Sequence, residues 1–186
     1  MEDKLTIALD MDGVLADTIQ KVLDMYNDEY GLQVTREDIK EWDLSSIQKE
    51  GTDIFKYFEF PGFFTSLNVM EGAKKAVWEL MDEGHDVVIA SAAPPSGMKD
   101  KVIWMATHFP VVPQENIIMA SRKDLVQADV LIDDGIHNLE QSPSDYPVLF
   151  KQDNPWTWNE DRFLSVNHWD EVIPLIKDIE KIKGGK

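Results

Sequence analysis

Residues 7–17 read IALDMDGVLAD. A largely apolar run, Leu5–Leu9, stops at two aspartates one residue apart, Asp10 and Asp12, followed by Gly13. The run is continuous rather than alternating, as in a strand buried on both faces of a parallel sheet. Ligands of open α/β sheets gather at the carboxyl ends of the strands. The stretch therefore sets two like charges at a ligand-bearing end. On extended chain, residues two apart face the same way, and Gly13 permits a tight turn behind them.

Working outward, the same pattern recurs at Val87–Ala90, Asn116–Met119, Val130–Ile132 and Val148–Phe150. Between these runs lie helical spacings: Ile19, Val22, Leu23, Tyr26 and Tyr30; Ala73, Ala76, Val77, Leu80 and Met81, closed by Gly84; Val102, Ile103, Ala106 and Phe109, stopped by Pro110; and Trp169 to Ile182, with Pro174 fixing where regular helix begins. Asp17 and Gln20 stand at the separation of a capping box. Strand and helix alternate, which predicts an α/β doubly wound, mostly parallel sheet. Residues 18–70 break the alternation, being far longer than a crossover needs. Helix signals (Thr35 to Asp38, Ser46 to Phe58) and the cluster FKYFEFPGFF predict a small helical cap there. The core is then 1–17 and 71–186; an elaborated crossover without a lid role is the alternative.

The chain has 186 residues, 43% hydrophobic and 10% aromatic, enough for one real core. No apolar stretch reaches membrane-spanning length, and the acidic start MEDKLTIALD does not read as a signal peptide. The absence of cysteine excludes disulfides, thiol catalysis and cysteine zinc sites, and fits a cytoplasmic protein. The formal net charge of −17 argues against a nucleic-acid polymer as partner. An anionic small molecule would also approach against an adverse field and need a local cation.

A second acidic pair, Asp133 and Asp134 in DVLIDDG, ends another strand. Four carboxylates converging at one sheet edge would repel each other, and a hard divalent cation such as Mg²⁺ resolves this with oxygen ligands. Lys123 offers a further cation; Ser91, ending VVIAS, offers a hydroxyl, with the backbone of Ala92 beside it. Metal, lysine, hydroxyl and acids together describe a phosphate site. A calcium loop opening at Asp10 fails, because positions eleven and twelve are Gln20 and Lys21 rather than glutamate.

This ordered set, DMDGVLAD, Ser91, Lys123 and Asp133–Asp134, resembles the haloacid dehalogenase superfamily of phosphotransferases over most of the chain. EWDLS (Glu41–Ser45), ADVLIDDG (Ala128–Gly135) and a late PW segment leading to VNHWDEV (Val166–Val172) narrow the resemblance to the 5'(3')-deoxyribonucleotidases, including short bacterial and phage-type members. The resemblance implies that Asp10 attacks phosphorus to form an aspartyl-phosphate and that Asp12 serves as acid and then base. It also implies Mg²⁺ held by Asp10, the carbonyl of Asp12 and Asp134, with Asp133 outside, and phosphoryl oxygens held by Ser91, Ala92 and Lys123. Asp12 is expected to start protonated, its neighbouring carboxylate raising its pKa.

Animal members carry an aromatic residue just after the first motif; Thr18 stands here. Trp42, Leu44, Phe63 and Phe64 are the candidates for filling the base pocket, with cap-to-core packing as their other reading. NPWTWNED (Asn154–Asp161) is longer than the usual form and unexplained. His85, His108, His137 and His168 show no metal spacing and read as surface or packing residues, the six tryptophans as mostly core, and the tail IEKIKGGK as a frayed basic end. The substrate expected is a deoxynucleoside monophosphate. A sugar or other metabolite phosphate is the alternative, and a non-enzymatic acidic metal-binding module the third reading. A homodimer is compatible with the sequence.

Overall fold

The computed structural model describes residues 4–152 and 154–185. The first three residues of the acidic start and the last lysine of the tail lie outside them. Six parallel strands form one sheet: β1 Thr6–Leu9, β2 Asp86–Ser91, β3 Ile117–Met119, β4 Val130–Asp133, β5 Tyr146–Phe150 and β6 Leu164–Val166. Their spatial order is β3-β2-β1-β4-β5-β6. The chain winds outward from β1 to β3, then returns to β4 on the other side of β1. That reversal opens a crevice between the carboxyl ends of β1 and β4. The edge strand β6, half exposed and only three residues long, carried too little apolar signal to be anticipated.

Side-chain alternation divides the sheet's burial. Ile7, Leu9, Val87, Ile89, Val130, Ile132, Val148 and Phe150 enter one large core cluster; Ala8, Ala90, Leu131 and Leu149 enter a smaller one on the opposite face. The helices are α1 Thr18–Tyr30, α2 Ala73–Asp82, α3 Pro95–His108, α4 Ile136–Gln141 and α5 Val172–Gly184. Asp17 caps α1 by accepting from the Gln20 N–H at 3.2 Å. Only half of the capping box forms, because the Gln20 amide turns to Asp24 instead. Pro174 is the third residue of α5, where its missing N–H has no intrahelical partner to lose.

Residues 18–70 begin with α1 and continue as short 3₁₀ turns at Arg36–Asp38, Leu44–Ile47, Phe55–Glu59 and Phe64–Ser66, not as the longer helix expected over 46–58. Their apolar residues, from Val22 to Leu67, belong to the same large cluster as the sheet. The two connecting strands pair: Asp17 N–H donates to Asn68 and Met70 N–H to Leu15, each at 2.9 Å. Arg36 straps the insertion to the core, donating to Asp17 (2.6 Å), Asn154 (3.0 Å) and Gln152 (3.2 Å). Two expectations need correcting. Of the tryptophans, Trp104 and Trp169 are buried, but Trp42, Trp78 and Trp158 are about half exposed. The tail is helical through Gly184, held by buried Ile179 and an ion pair of Lys183 with Asp129.

Candidate active site

The site forms where β1 and β4 end side by side. Asp10 extends the ladder, its N–H donating to the Ile132 carbonyl at 2.9 Å, so it sits next to Asp133. The chain then coils around one acceptor: the N–H groups of Leu15 and Ala16 return to the Met11 carbonyl at 2.9 and 2.8 Å. The buried Met11 side chain anchors this coil, and Asp10 and Asp12 both emerge into the crevice. Gly13 (φ +74) is required here, since a Cβ would collide with the Asp134 carboxylate.

Asp10, Asp133 and Asp134 are buried, with one oxygen from each within 4.8 Å of the others. Lys123, also buried, bridges two of them, at 2.8 Å from Asp10 Oδ1 and 2.6 Å from Asp133 Oδ2. Asp133 takes two further hydrogen bonds, from the Gly135 N–H (2.8 Å) and Asn138 Nδ2 (3.0 Å). Its oxygens are spent on holding the lysine and the β4–α4 turn. Burial pushes the Asp10 carboxyl up to about 7; Lys123 pulls it back, and Asp133 and Asp12 add to the rise. Burial likewise pushes Asp134 well above the usual carboxylate range, aided by Asp133 and Asp10. Burial alone would lower the Lys123 ammonium, but Asp10 and Asp133 outweigh it and hold it above the usual lysine range. Two carboxyls that burial holds against ionisation, with Lys123 offsetting only part of the cost at Asp10, fit a hard divalent cation. Asp10 and Asp134 could hold it.

The Asp12 carboxylate lies outside that cluster. Its Oδ1 accepts from Thr18 Oγ1 at 2.7 Å, and its Oδ2 pairs with Lys101, a residue that sequence reasoning missed. Lys101 is fully buried on α3 and also donates to Ser91 Oγ (2.9 Å) and to the Ala92 carbonyl. It lies over the Phe64 ring at 4.7 Å. Its signal was a lysine on the same helix face as Gly97, Trp104 and Met105. Ser91 is thus buried and engaged with Lys101, whereas Ala92 and Ser121 reach the cavity wall.

That cavity, about 470 Å³, runs from Asp10, Asp12, Lys123 and Asp134 to an aromatic end. Of the base-pocket candidates, Thr18, Trp42 and Leu44 line it. Phe63 and Phe64 do not: they are buried against each other, at 5.0 Å between ring centroids, and Phe64 supports Lys101. Phe55 and Phe58 take the wall position instead, with His137 and Trp156. The unexplained late segment therefore reaches the site through Trp156.

The family model described as 5' nucleotidase, deoxy (pyrimidine), cytosolic type C protein matches residues 4–182. The 5'(3')-deoxyribonucleotidases of Bacillus subtilis (strain 168) and of Bacillus phage SPbeta are each 34% identical over 173 residues, covering 91% of this chain and 96% of the relative. A solved HAD family hydrolase from Deinococcus radiodurans R1, with bound phosphate and sodium, has TM-score 0.60 at 16% identity, covering 96% of this chain and 97% of that one. At that identity the likeness concerns the fold alone.

Proposed function

This chain belongs to the cytosolic type C 5' nucleotidase family and is a phosphatase, and we propose that it hydrolyses deoxynucleoside monophosphates through an aspartyl-phosphate on Asp10, with Mg²⁺ as cofactor. The observation that carries the reading is the joining of two unlike surfaces in one cavity. A charged end holds the carboxylates and Lys123, and an aromatic end holds Trp42, Phe55, Phe58, His137 and Trp156. A phosphate ester with a planar, apolar-faced substituent suits both.

In this mechanism the Asp10 carboxylate attacks phosphorus and forms an Asp10–phosphate bond as the ester P–O bond breaks. Asp12 gives its proton to the departing sugar oxygen. It then takes a proton from the water that attacks the phosphoryl group and frees Asp10. Thr18 and Lys101, which grip both Asp12 oxygens, fix where that proton is delivered. Lys123, beside Asp10, is placed to meet the phosphoryl oxygens as charge develops on them. A bound Mg²⁺ would add a Lewis acid and cancel charge at Asp10 and Asp134. We assign residues 18–70 as a cap that closes over the cavity and excludes water, since Trp42, Leu44, Phe55 and Phe58 all come from it.

The test is phosphate release from dUMP, dTMP, dGMP, UMP, a 3'-deoxynucleotide and several sugar phosphates, each with Mg²⁺, with chelator and with Asp10→Asn. Mg²⁺-dependent release from deoxynucleotides, absent in Asp10→Asn, is expected. Release from sugar phosphates alone would keep the chemistry and replace the substrate class. No turnover at all would return the carboxylates to a binding role.

A further inference from the structure

Trp42 and His137 meet edge to face at the cavity wall, ring centroids 4.4 Å apart at 69°. Among the described residues, this is the aromatic pair that joins segment 18–70 to the core. Trp42 is 49% exposed and lies between 3₁₀ turns, outside any regular helix or strand. His137 is itself exposed, but its backbone is not loose. It lies in the first turn of α4, three residues after Asp134. Asp133 pins that turn through the Gly135 N–H and the Asn138 amide.

We propose that His137 is a positioning residue that seats the Trp42 indole against the base of a bound nucleoside monophosphate. One short turn then carries Asp134 at the phosphate end and, through His137, the aromatic wall at the other. The span between phosphate and base is read by a rigid element rather than by the insertion alone. The contact is a ring-edge contact, so an aromatic ring of any kind at 137 preserves it and a methyl group does not. The inference rests on the nucleotide reading given above.

The experiment compares His137→Ala and His137→Phe with the wild type, on dUMP and on deoxyribose 5-phosphate, which has no base. The readout is the ratio of their KM values. In His137→Ala the KM for dUMP should rise about three- to tenfold relative to that for deoxyribose 5-phosphate, the strength of one lost ring pair. His137→Phe should bring the ratio back to within about twofold, as a ring contact demands. An unchanged ratio in His137→Ala would overturn the proposal, as would a His137→Phe enzyme as impaired as the alanine variant. Because His137 is exposed, folding is not at stake in either substitution. A wild type that turned over deoxyribose 5-phosphate but no nucleotide would refute the substrate reading itself, a different and recognisable result.

Discussion

Replacing Asp10 with asparagine should make the metal-free protein more stable and inactive, and the gain should depend on pH. In the folded chain, burial lifts the Asp10 carboxyl from 3.8 to about 7, even with Lys123 beside it. Unfolded, the same group titrates near 4. Between these values the native state keeps a proton that the unfolded state releases. The stability this group contributes is therefore fully present below about pH 4 and lost as pH rises through about 7. At about 1.4 kcal/mol per pH unit, the rise from 3.8 to about 7 sets a ceiling of about 4 kcal/mol on that loss. Asp134, raised for the same reasons, pushes in the same direction.

Asparagine has nearly the same shape and no charge. It keeps an oxygen to accept the Met11 N–H, now made at 2.7 Å. It weakens one of the two pairings of Lys123, a cost of about 1–2 kcal/mol against the ceiling. The net expectation is a gain of about 2 kcal/mol above pH 8, or about 4–8 °C in melting temperature for a domain of this size. The gain should vanish near pH 5. Thermal melts in chelator across pH 5–9 measure it directly. Adding Mg²⁺ at pH 8 should raise the wild-type melting temperature and move the variant less. An Asp10→Asn protein that melted at or below wild type at pH 8, or a gap independent of pH, would refute the view that Asp10 is ionised at the expense of the fold.

Other substitutions probe the supports. Gly13→Ala forces a Cβ into the Asp134 carboxylate at φ +74, so the Mg²⁺ concentration for half-maximal turnover should rise about tenfold or more. Lys101→Met strips Asp12 of its cation and frees Ser91; kcat on dUMP should fall about a hundredfold, and an undiminished kcat would show that Asp12 needs no orienting partner. Arg36→Ala unties the insertion from Asp17, Asn154 and Gln152, lowering stability in urea by about 1–3 kcal/mol and opening residues 18–70 to limited proteolysis.

What could be read from sequence was local. Asp10, Asp133 and Asp134 each sit at a strand end or just beyond it, and the position of a parallel strand follows from its apolar run. Lys123 could be placed because it precedes the same strand, β4, by a few residues. Lys101 could not be assigned a partner, because Asp12 lies 89 residues away and only the winding of β2 beside β1 brings them together. The aromatic wall failed for another reason. FKYFEFPGFF offers several phenylalanines, and which ones face the cavity depends on how the segment packs against the core. The segment turns as a 3₁₀ helix over Phe55–Glu59, so residues three apart share a face, and Phe55 and Phe58 line the cavity together. Phe63 and Phe64 lie beyond the Pro61–Gly62 turn, which directs them into the core, and the local pattern of phenylalanines does not show that change of direction.

The four aspartates lie close together, and their partners separate them. Asp133 is saturated by Lys123, Gly135 and Asn138, and Asp12 is gripped by Lys101 and Thr18. Asp10 and Asp134 are the pair whose carboxyls burial drives upward. With all four aspartates ionised, their charge against the two ammonium groups would be −2, which one divalent cation cancels. This balance matters more in a chain of net charge −17 than it would in a neutral one. A phosphate dianion drawn toward an uncompensated −2 within a low-dielectric crevice meets repulsion at every step of its approach. With the balance closed, Lys123 remains as a directed donor on the cavity wall, where the anion must settle, while Lys101 holds Asp12 from behind.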